Sequence, residues 1–177
     1  LAYRYANLFD REHIGSAQFQ TSPQYPNRVT VLGGSYKIPL YGLGDSMDGY
    51  RWLPSALNLP WLNYLLVNAP DDYYGGFSWY DITGDQGPGI ARSRHLLFEV
   101  MDTQRERGYP TGQTVMFGFS QGGLLTKEVG ARYPHLLAGL VGICGYVWEP
   151  EKFVEELSPV AAQQRFPTFG LRKVRDW

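Results

Sequence analysis

The feature that most constrains this sequence is a short glycine-rich stretch, GFSQG, at residues 118–122. It lies between an apolar run, QTVMF, that is typical of a buried strand, and a run, LLTKEVGARY, that is typical of a helix. A strand-to-helix turn this tight forces Ser120 into a strained backbone conformation, and the flanking glycines avoid clashes between strand and helix. The pattern indicates a nucleophilic serine held at the carboxyl edge of a parallel sheet. The alternative is a glycine-rich turn with an incidental serine.

Strands and helices alternate along the rest of the chain. Apolar or β-branched runs predict strands at residues 28–32, 63–70, 113–117, 137–145 and 167–171. Helical patterns cover residues 90–108 and 120–132, with shorter helical segments within 51–61 and 153–165, and residues 71–89 are predicted to form one long aromatic loop. This alternation predicts an α/β fold with a mostly parallel sheet covered by helices on both faces.

Composition narrows the class of protein. The 177 residues suit a single domain, 1–177, in which residues 1–27 form an N-terminal strand or extension. A net charge of −1 without a long basic run argues against a nucleic-acid surface. The longest weakly polar stretch, residues 136–148, is too short to span a bilayer, and no signal peptide is visible. The single cysteine, Cys144, cannot form an internal disulfide, so we expect a cytoplasmic protein.

Four motifs in order along the chain carry a family resemblance. They are LYGLGDS at residues 40–46, FSWYDI at 77–82, GFSQGG at 118–123, and YPHLLAGLVGICGY at 133–146. Together they resemble the α/β-hydrolase superfamily, and within it the small group of carboxylesterases, phospholipases and acyl-protein thioesterases. The resemblance runs from about residue 29 to residue 177 and implies the α/β-hydrolase fold, apparently without its last C-terminal strand and helix.

The resemblance also implies roles for particular residues. Ser120 would be the nucleophile, and the backbone N–H groups of Leu43 and Gln121 would form the oxyanion hole. Tyr41 stands where the family has a histidine that supports the oxyanion loop, a change that keeps the backbone donor. Substrate would lie along the aromatic loop, for which the alternative is simple packing under a long loop. The residues concerned are Phe77, Trp79 and Tyr80.

The acid and the base of a triad follow the serine in this fold. The family pattern P-x4-H-G-x-x-D is similar to PTFGLRKVRD, in which Arg and Lys replace His-Gly and Asp176 occupies the position of the acid. A solvated charge after a strand is the alternative for Asp176. No histidine follows it, and we expect His13, His95 and His135 to be structural or surface residues. The chain is therefore expected to be a truncated piece of a longer enzyme, with a degenerate hydrolase as the less economical alternative.

The favoured hypothesis is a serine esterase that hydrolyses a small-molecule ester or thioester through an acyl-enzyme on Ser120, without a cofactor. No Cys/His cluster has the spacing of a zinc site, and no glycine-rich motif matches a phosphate-binding loop, so no metal is expected. The rival hypothesis is a catalytically impaired protein of the same fold that binds a ligand or a partner. Neither a nucleic-acid partner nor a membrane span is expected, and a homodimer is left open.

Overall fold

The computed structural model describes residues 3–6, 17–20, 29–33, 47–50, 52–59, 62–163 and 168–171. Within these residues, the main element is a sheet of seven strands. The strands are β1 (Tyr3–Ala6), β2 (Ala17–Gln20), β3 (Val29–Gly33), β4 (Asn63–Val67), β5 (Asp71–Tyr73), β6 (Gly76–Ser78), β7 (Val115–Phe119), β8 (Gly139–Ile143) and β9 (Thr168–Leu171). The α-helices are α1 (Leu53–Leu57), α2 (Gln86–Glu106), α3 (Gln121–Arg132), α4 (Pro150–Glu155) and α5 (Pro159–Gln163). Short 3-10 turns occupy Met47–Tyr50 and Thr111–Gln113.

The order of the strands places β7 near the middle of the sheet. The large sheet runs β1-β2-β4-β3-β7-β8-β9, while β5 and β6 form a separate hairpin. β1 and β2 pair antiparallel, as do β2 and β4, and the other pairings of the large sheet (β4 with β3, β3 with β7, β7 with β8, and β8 with β9) are parallel. The carboxyl ends of β3, β7 and β8 therefore meet at one edge, and Ser120 follows β7 at that edge. The predicted mostly parallel sheet is confirmed.

Helices cover both faces of this sheet. Successive side chains of a strand point to opposite faces of the sheet, so neighbouring residues of β4 pack against the layers on its two sides. Leu65 belongs to the larger core cluster, together with Leu97 of α2 and Leu124 of α3. Its neighbour Leu66 belongs to a second cluster, with Leu53 of α1. The predicted two-sided packing is thus confirmed, and α3 lies directly over β7 and β8.

The prediction of one long loop at residues 71–89 is wrong in two respects. β5 and β6 pair antiparallel within it, joined by a two-residue turn at Tyr74 and Gly75, both with positive φ (43° and 86°). Helix α2 also begins directly after Asp85, several residues earlier than predicted, because the Asp85 carboxylate caps it by accepting a hydrogen bond from the backbone N–H of Gly87.

Among the described residues, no helix is both long and apolar enough to cross a membrane.

Candidate active site

Ser120 occupies a strained backbone conformation between β7 and α3. Its φ of 53° and ψ of −112° are far from strand or helix values, and such a position costs about 1–3 kcal/mol for a residue with a Cβ. Two backbone hydrogen bonds fix it: its N–H donates to the carbonyl of Ile143 at 2.8 Å, and its carbonyl accepts from the N–H of Leu124 at 3.0 Å. The turn is therefore tied to the end of β8 and to the first turn of α3, and its geometry is the one that the pentapeptide predicts.

The glycines around the serine are required by the close approach of strand and helix. A Cβ on Gly118 would lie 2.0 Å from the carbonyl oxygen of Gly122, and one on Gly123 would lie 2.9 Å from the carbonyl oxygen of Ile143. Both obstacles are backbone atoms, which cannot swing away. The turn can form only if residues 118 and 123 lack side chains.

Gln121 is the first residue of α3, and both its backbone and its side chain matter at this turn. Its backbone N–H is one of those that an α-helix leaves without an intrahelical acceptor, at the positive end of the helix dipole. Its side chain is 3% exposed and bonds to a segment of the chain about forty residues earlier. Oε1 accepts from the backbone N–H of Trp79 at 3.0 Å, and Nε2 donates to the carbonyl of Tyr80 at 2.9 Å and to Ser78 Oγ at 3.2 Å.

Sequence reasoning proposed the backbone N–H of Gln121 as an oxyanion donor, but it missed the hydrogen bonds that the side-chain amide makes. Nothing in the sequence pairs a glutamine with a segment 41–43 residues away. The available signal for this contact is that the FSWYDI and GFSQGG motifs, which contain the two partners, occur in the same chain.

The three aromatic residues proposed to contact substrate have different environments. Trp79 and Tyr80 are each 2% exposed and belong to the larger core cluster, whereas Phe77 is half-buried at its border. The carbonyl of Trp79 also accepts a hydrogen bond from the fully buried hydroxyl of Ser93. This burial favours the packing alternative for Trp79 and Tyr80, and leaves Phe77 as the candidate for substrate contact.

The loop after β8 packs against the first turn of α3. A Cβ on Gly145 would lie 2.4 Å from the carbonyl carbon of Gly123, so the two backbones are in contact. Lys127 of α3 holds this loop by donating from Nζ to the carbonyl of Gly145 at 2.5 Å. Partial burial of Lys127 lowers the pKa of its ammonium group.

Neither described histidine lies beside Ser120. His95 projects from α2 with 74% of its side chain exposed and pairs with Glu99 at 3.4 Å. His135 follows the C-terminus of α3, so the helix, about 18 Å long at 1.5 Å per residue, separates it from Ser120. The remaining predicted residues, namely His13, Tyr41, Leu43 and Asp176, lie outside the described residues.

No group of three or more His, Cys, Asp or Glu side chains within the described part of the chain is arranged to hold a metal ion.

A family model and several curated proteins match this chain. The model of the phospholipase/carboxylesterase family matches residues 37–170. The acyl-protein thioesterase 1 of Schizosaccharomyces pombe is 31% identical over 139 residues, which cover 71% of this chain and 62% of that protein. The acyl-protein thioesterase 1 of Candida albicans is 30% identical over 142 residues, covering 67% of this chain and 61% of that protein. The chain therefore spans about three-fifths of the length of these relatives.

Solved structures of the same architecture support the fold. Esterase PE8 is similar with a TM-score of 0.69 and 20% identity, covering 90% of this chain and 74% of that one. Acyl-protein thioesterase 2 of Zea mays is similar with a TM-score of 0.68 and 18% identity, covering 89% of this chain and 75% of that one. These likenesses confirm the predicted α/β-hydrolase fold. Because the family model covers most of the sequence, this chain belongs to the phospholipase/carboxylesterase family.

Proposed function

We propose that the protein is a serine hydrolase that cleaves small-molecule carboxylic esters or thioesters through an acyl-enzyme on Ser120. The observation that carries the proposal is the strained backbone of Ser120, with a φ of 53° and a ψ of −112° at the carboxyl edge of a parallel sheet. A fold keeps such strain where the position serves a function. The relatives named acyl-protein thioesterase favour the inclusion of thioesters among the substrates.

In the proposed reaction, Ser120 Oγ attacks the carbonyl carbon while a general base takes its proton. The carbonyl oxygen becomes an oxyanion, stabilised by the backbone N–H of Gln121 at the N-terminus of α3 and by that of Leu43. The C–O or C–S bond then breaks, and the leaving alcohol or thiol takes the proton from the base. Water, which gives a proton to the base, then attacks the acyl carbon; the bond from that carbon to Ser120 Oγ breaks, Oγ takes the proton back from the base, and the carboxylic acid leaves. Asp176 is the proposed acid, and its carboxylate would orient the base. We assign the base to none of the described residues.

A fluorophosphonate probe tests the proposal directly. The full-length protein is incubated with the probe at neutral pH, beside Ser120→Ala and the control Ser55→Ala, whose serine is exposed in α1. We expect rapid covalent labelling of the wild type and of Ser55→Ala, and none of Ser120→Ala. Equal labelling of all three proteins, or none of the wild type, would contradict the proposal.

The second candidate function is non-catalytic ligand binding on the same fold. The observation that favours it is the position of His95 and His135, neither of which lies beside Ser120. The labelling experiment separates the two functions. A serine that no base activates reacts slowly with a fluorophosphonate. A protein that only binds a ligand would therefore remain largely unlabelled.

A further inference from the structure

We propose that the side-chain amide of Gln121 is a positioning residue for the oxyanion hole: it holds the first peptide of α3 in place by bonding to the backbone of residues 78–80. The inference rests on the proposed function, because it assigns a purpose to a contact behind the proposed oxyanion donor. It adds to that function a side chain that fixes the position of a backbone N–H and does not itself contact the substrate.

The amide is matched to its surroundings on both sides. The oxygen accepts from the N–H of Trp79, and the nitrogen donates to the carbonyl of Tyr80 and to the hydroxyl of Ser78. The Ser78 hydroxyl in turn donates to the same Tyr80 carbonyl at 2.7 Å. With 3% of Gln121 exposed, water is excluded from these bonds, so they are stronger and more directional than surface hydrogen bonds.

The segment that Gln121 bonds to is itself fixed. The carbonyl of Trp79 accepts from the buried hydroxyl of Ser93 in α2, and the side chains of Trp79 and Tyr80 are packed in the core. The amide therefore ties the start of α3 to a rigid element rather than to a mobile loop. A donor must lie within hydrogen-bond distance of the position that the oxyanion will occupy, so a small rotation of this peptide is costly to the reaction.

Only a group with both a donor and an acceptor satisfies this arrangement. Methionine has nearly the same length and shape but makes neither bond. A carboxylate can accept from the Trp79 N–H but faces the Tyr80 carbonyl with a second acceptor, and it must be protonated to donate. Burial of the introduced carboxyl raises its pKa above the usual value of about 4.3, so the Gln-like protonated form becomes populated in mildly acidic solution.

The test compares Gln121→Met and Gln121→Glu with the same substitutions at Gln163, which is exposed in α5. The rate of fluorophosphonate labelling of the full-length protein is measured between about pH 8.5 and about pH 5.5, the range over which the introduced carboxyl gains its proton. Each variant's rate is divided by that of the wild type at the same pH, so the titration of the base cancels. Circular dichroism measures the folded fraction of each variant, and the labelling rate is expressed per folded molecule.

We expect Gln121→Met to label roughly 10- to 100-fold more slowly than the wild type at every pH, as for a displaced oxyanion donor. The ratio for Gln121→Glu should be comparably low in alkaline solution and should rise several-fold as the pH falls, because protonation restores the donor. Both Gln163 variants should match the wild type. A purely structural role would change the folded fraction but not this pH-dependent ratio.

Two outcomes overturn the inference while leaving the proposed function standing. One is a folded Gln121→Met that labels within about twofold of the wild type, a difference too small for a displaced donor. The other is a Gln121→Glu ratio that stays flat with pH. If the wild type itself is not labelled, the proposed function is overturned, and the inference falls with it.

Discussion

Replacing Ser120 by glycine should make the protein more stable than replacing it by alanine. Both changes remove the hydroxyl, which makes no capping hydrogen bond to α3, so its loss cancels in the comparison. The two variants differ only in the Cβ, and the Cβ is the source of strain at a φ of 53°. The comparison therefore measures the strain stored in the turn.

The expected magnitude follows from two opposing contributions. Relief of the strained backbone stabilises the glycine variant by about 1–3 kcal/mol. The greater conformational freedom of unfolded glycine offsets about 0.5–1 kcal/mol of that gain. The net difference is roughly 1 kcal/mol in favour of Ser120→Gly, which corresponds to a melting temperature about 2–4 °C higher for a chain of this size.

Urea unfolding followed by circular dichroism measures this difference, and Ser55 provides a control of opposite sign. Ser55 is exposed in the middle of the short helix α1, where glycine should be about 0.5–1 kcal/mol less stable than alanine. A Ser120→Gly variant that is no more stable than Ser120→Ala, with the Ser55 pair behaving as expected, would refute the claim that this position is strained.

Two further predictions concern the surroundings of the turn. Gly118→Ala should destabilise the protein by about 3 kcal/mol or more in urea unfolding, because its Cβ would lie 2.0 Å from the carbonyl oxygen of Gly122. Glu156→Gln should change the pH dependence of stability, because the guanidinium of Arg132, 2.7 Å away, holds the pKa of Glu156 below its usual range. A depressed folded-state pKa stabilises the protein above the unfolded value of about 4.3, so the advantage of the wild type should disappear as the pH falls through the folded-state pKa.

Each of these predictions has a matched control. Gly112→Ala introduces a Cβ at an ordinary 3.4 Å from Leu136, so it should cost far less than Gly118→Ala. Glu155 is exposed on the same short helical region as Glu156, and Glu155→Gln removes the same charge while it keeps the contact between Arg132 and Glu156, so the two variants are compared directly. Equal losses at the two glycines, or a parallel pH profile for Glu156→Gln and the wild type, would contradict the reasoning.

The turn at Ser120 could be predicted from sequence because its causes are local. Glycines at fixed positions, an apolar strand before them and a helix-forming run after them leave few conformations for the residue between. The core-facing residues of α2 were predictable for the same reason, since Ile90, Leu97 and Met101 recur at helical spacing and all are buried.

The hairpin at residues 71–78 was missed because its strands are weak on their own. Each strand has only three residues, and β5 begins with two aspartates, a residue type depleted in strands. The turn was also hard to recognise: both of its central residues have positive φ, which Gly75 adopts readily, but Tyr74 stands where asparagine, aspartate or glycine is usual.

The start of α2 was misplaced for a related reason. The sequence QGPG contains poor helix formers, so the pattern favoured a start at Ile90. The Asp85 cap outweighs these weak propensities. The amide of Gln121 was missed because its partners meet it only in the folded chain.

The central claim, that Ser120 is the nucleophile, is tested most directly by trapping the acyl-enzyme. The full-length protein is mixed with p-nitrophenyl butyrate, quenched with acid during the first turnover, and digested for peptide mass spectrometry. The account predicts a burst of p-nitrophenol and a butyryl group on the peptide that contains Ser120, absent in Ser120→Ala. Steady hydrolysis with the butyryl group on another residue, or a Ser120→Ala variant that keeps the burst, would contradict it.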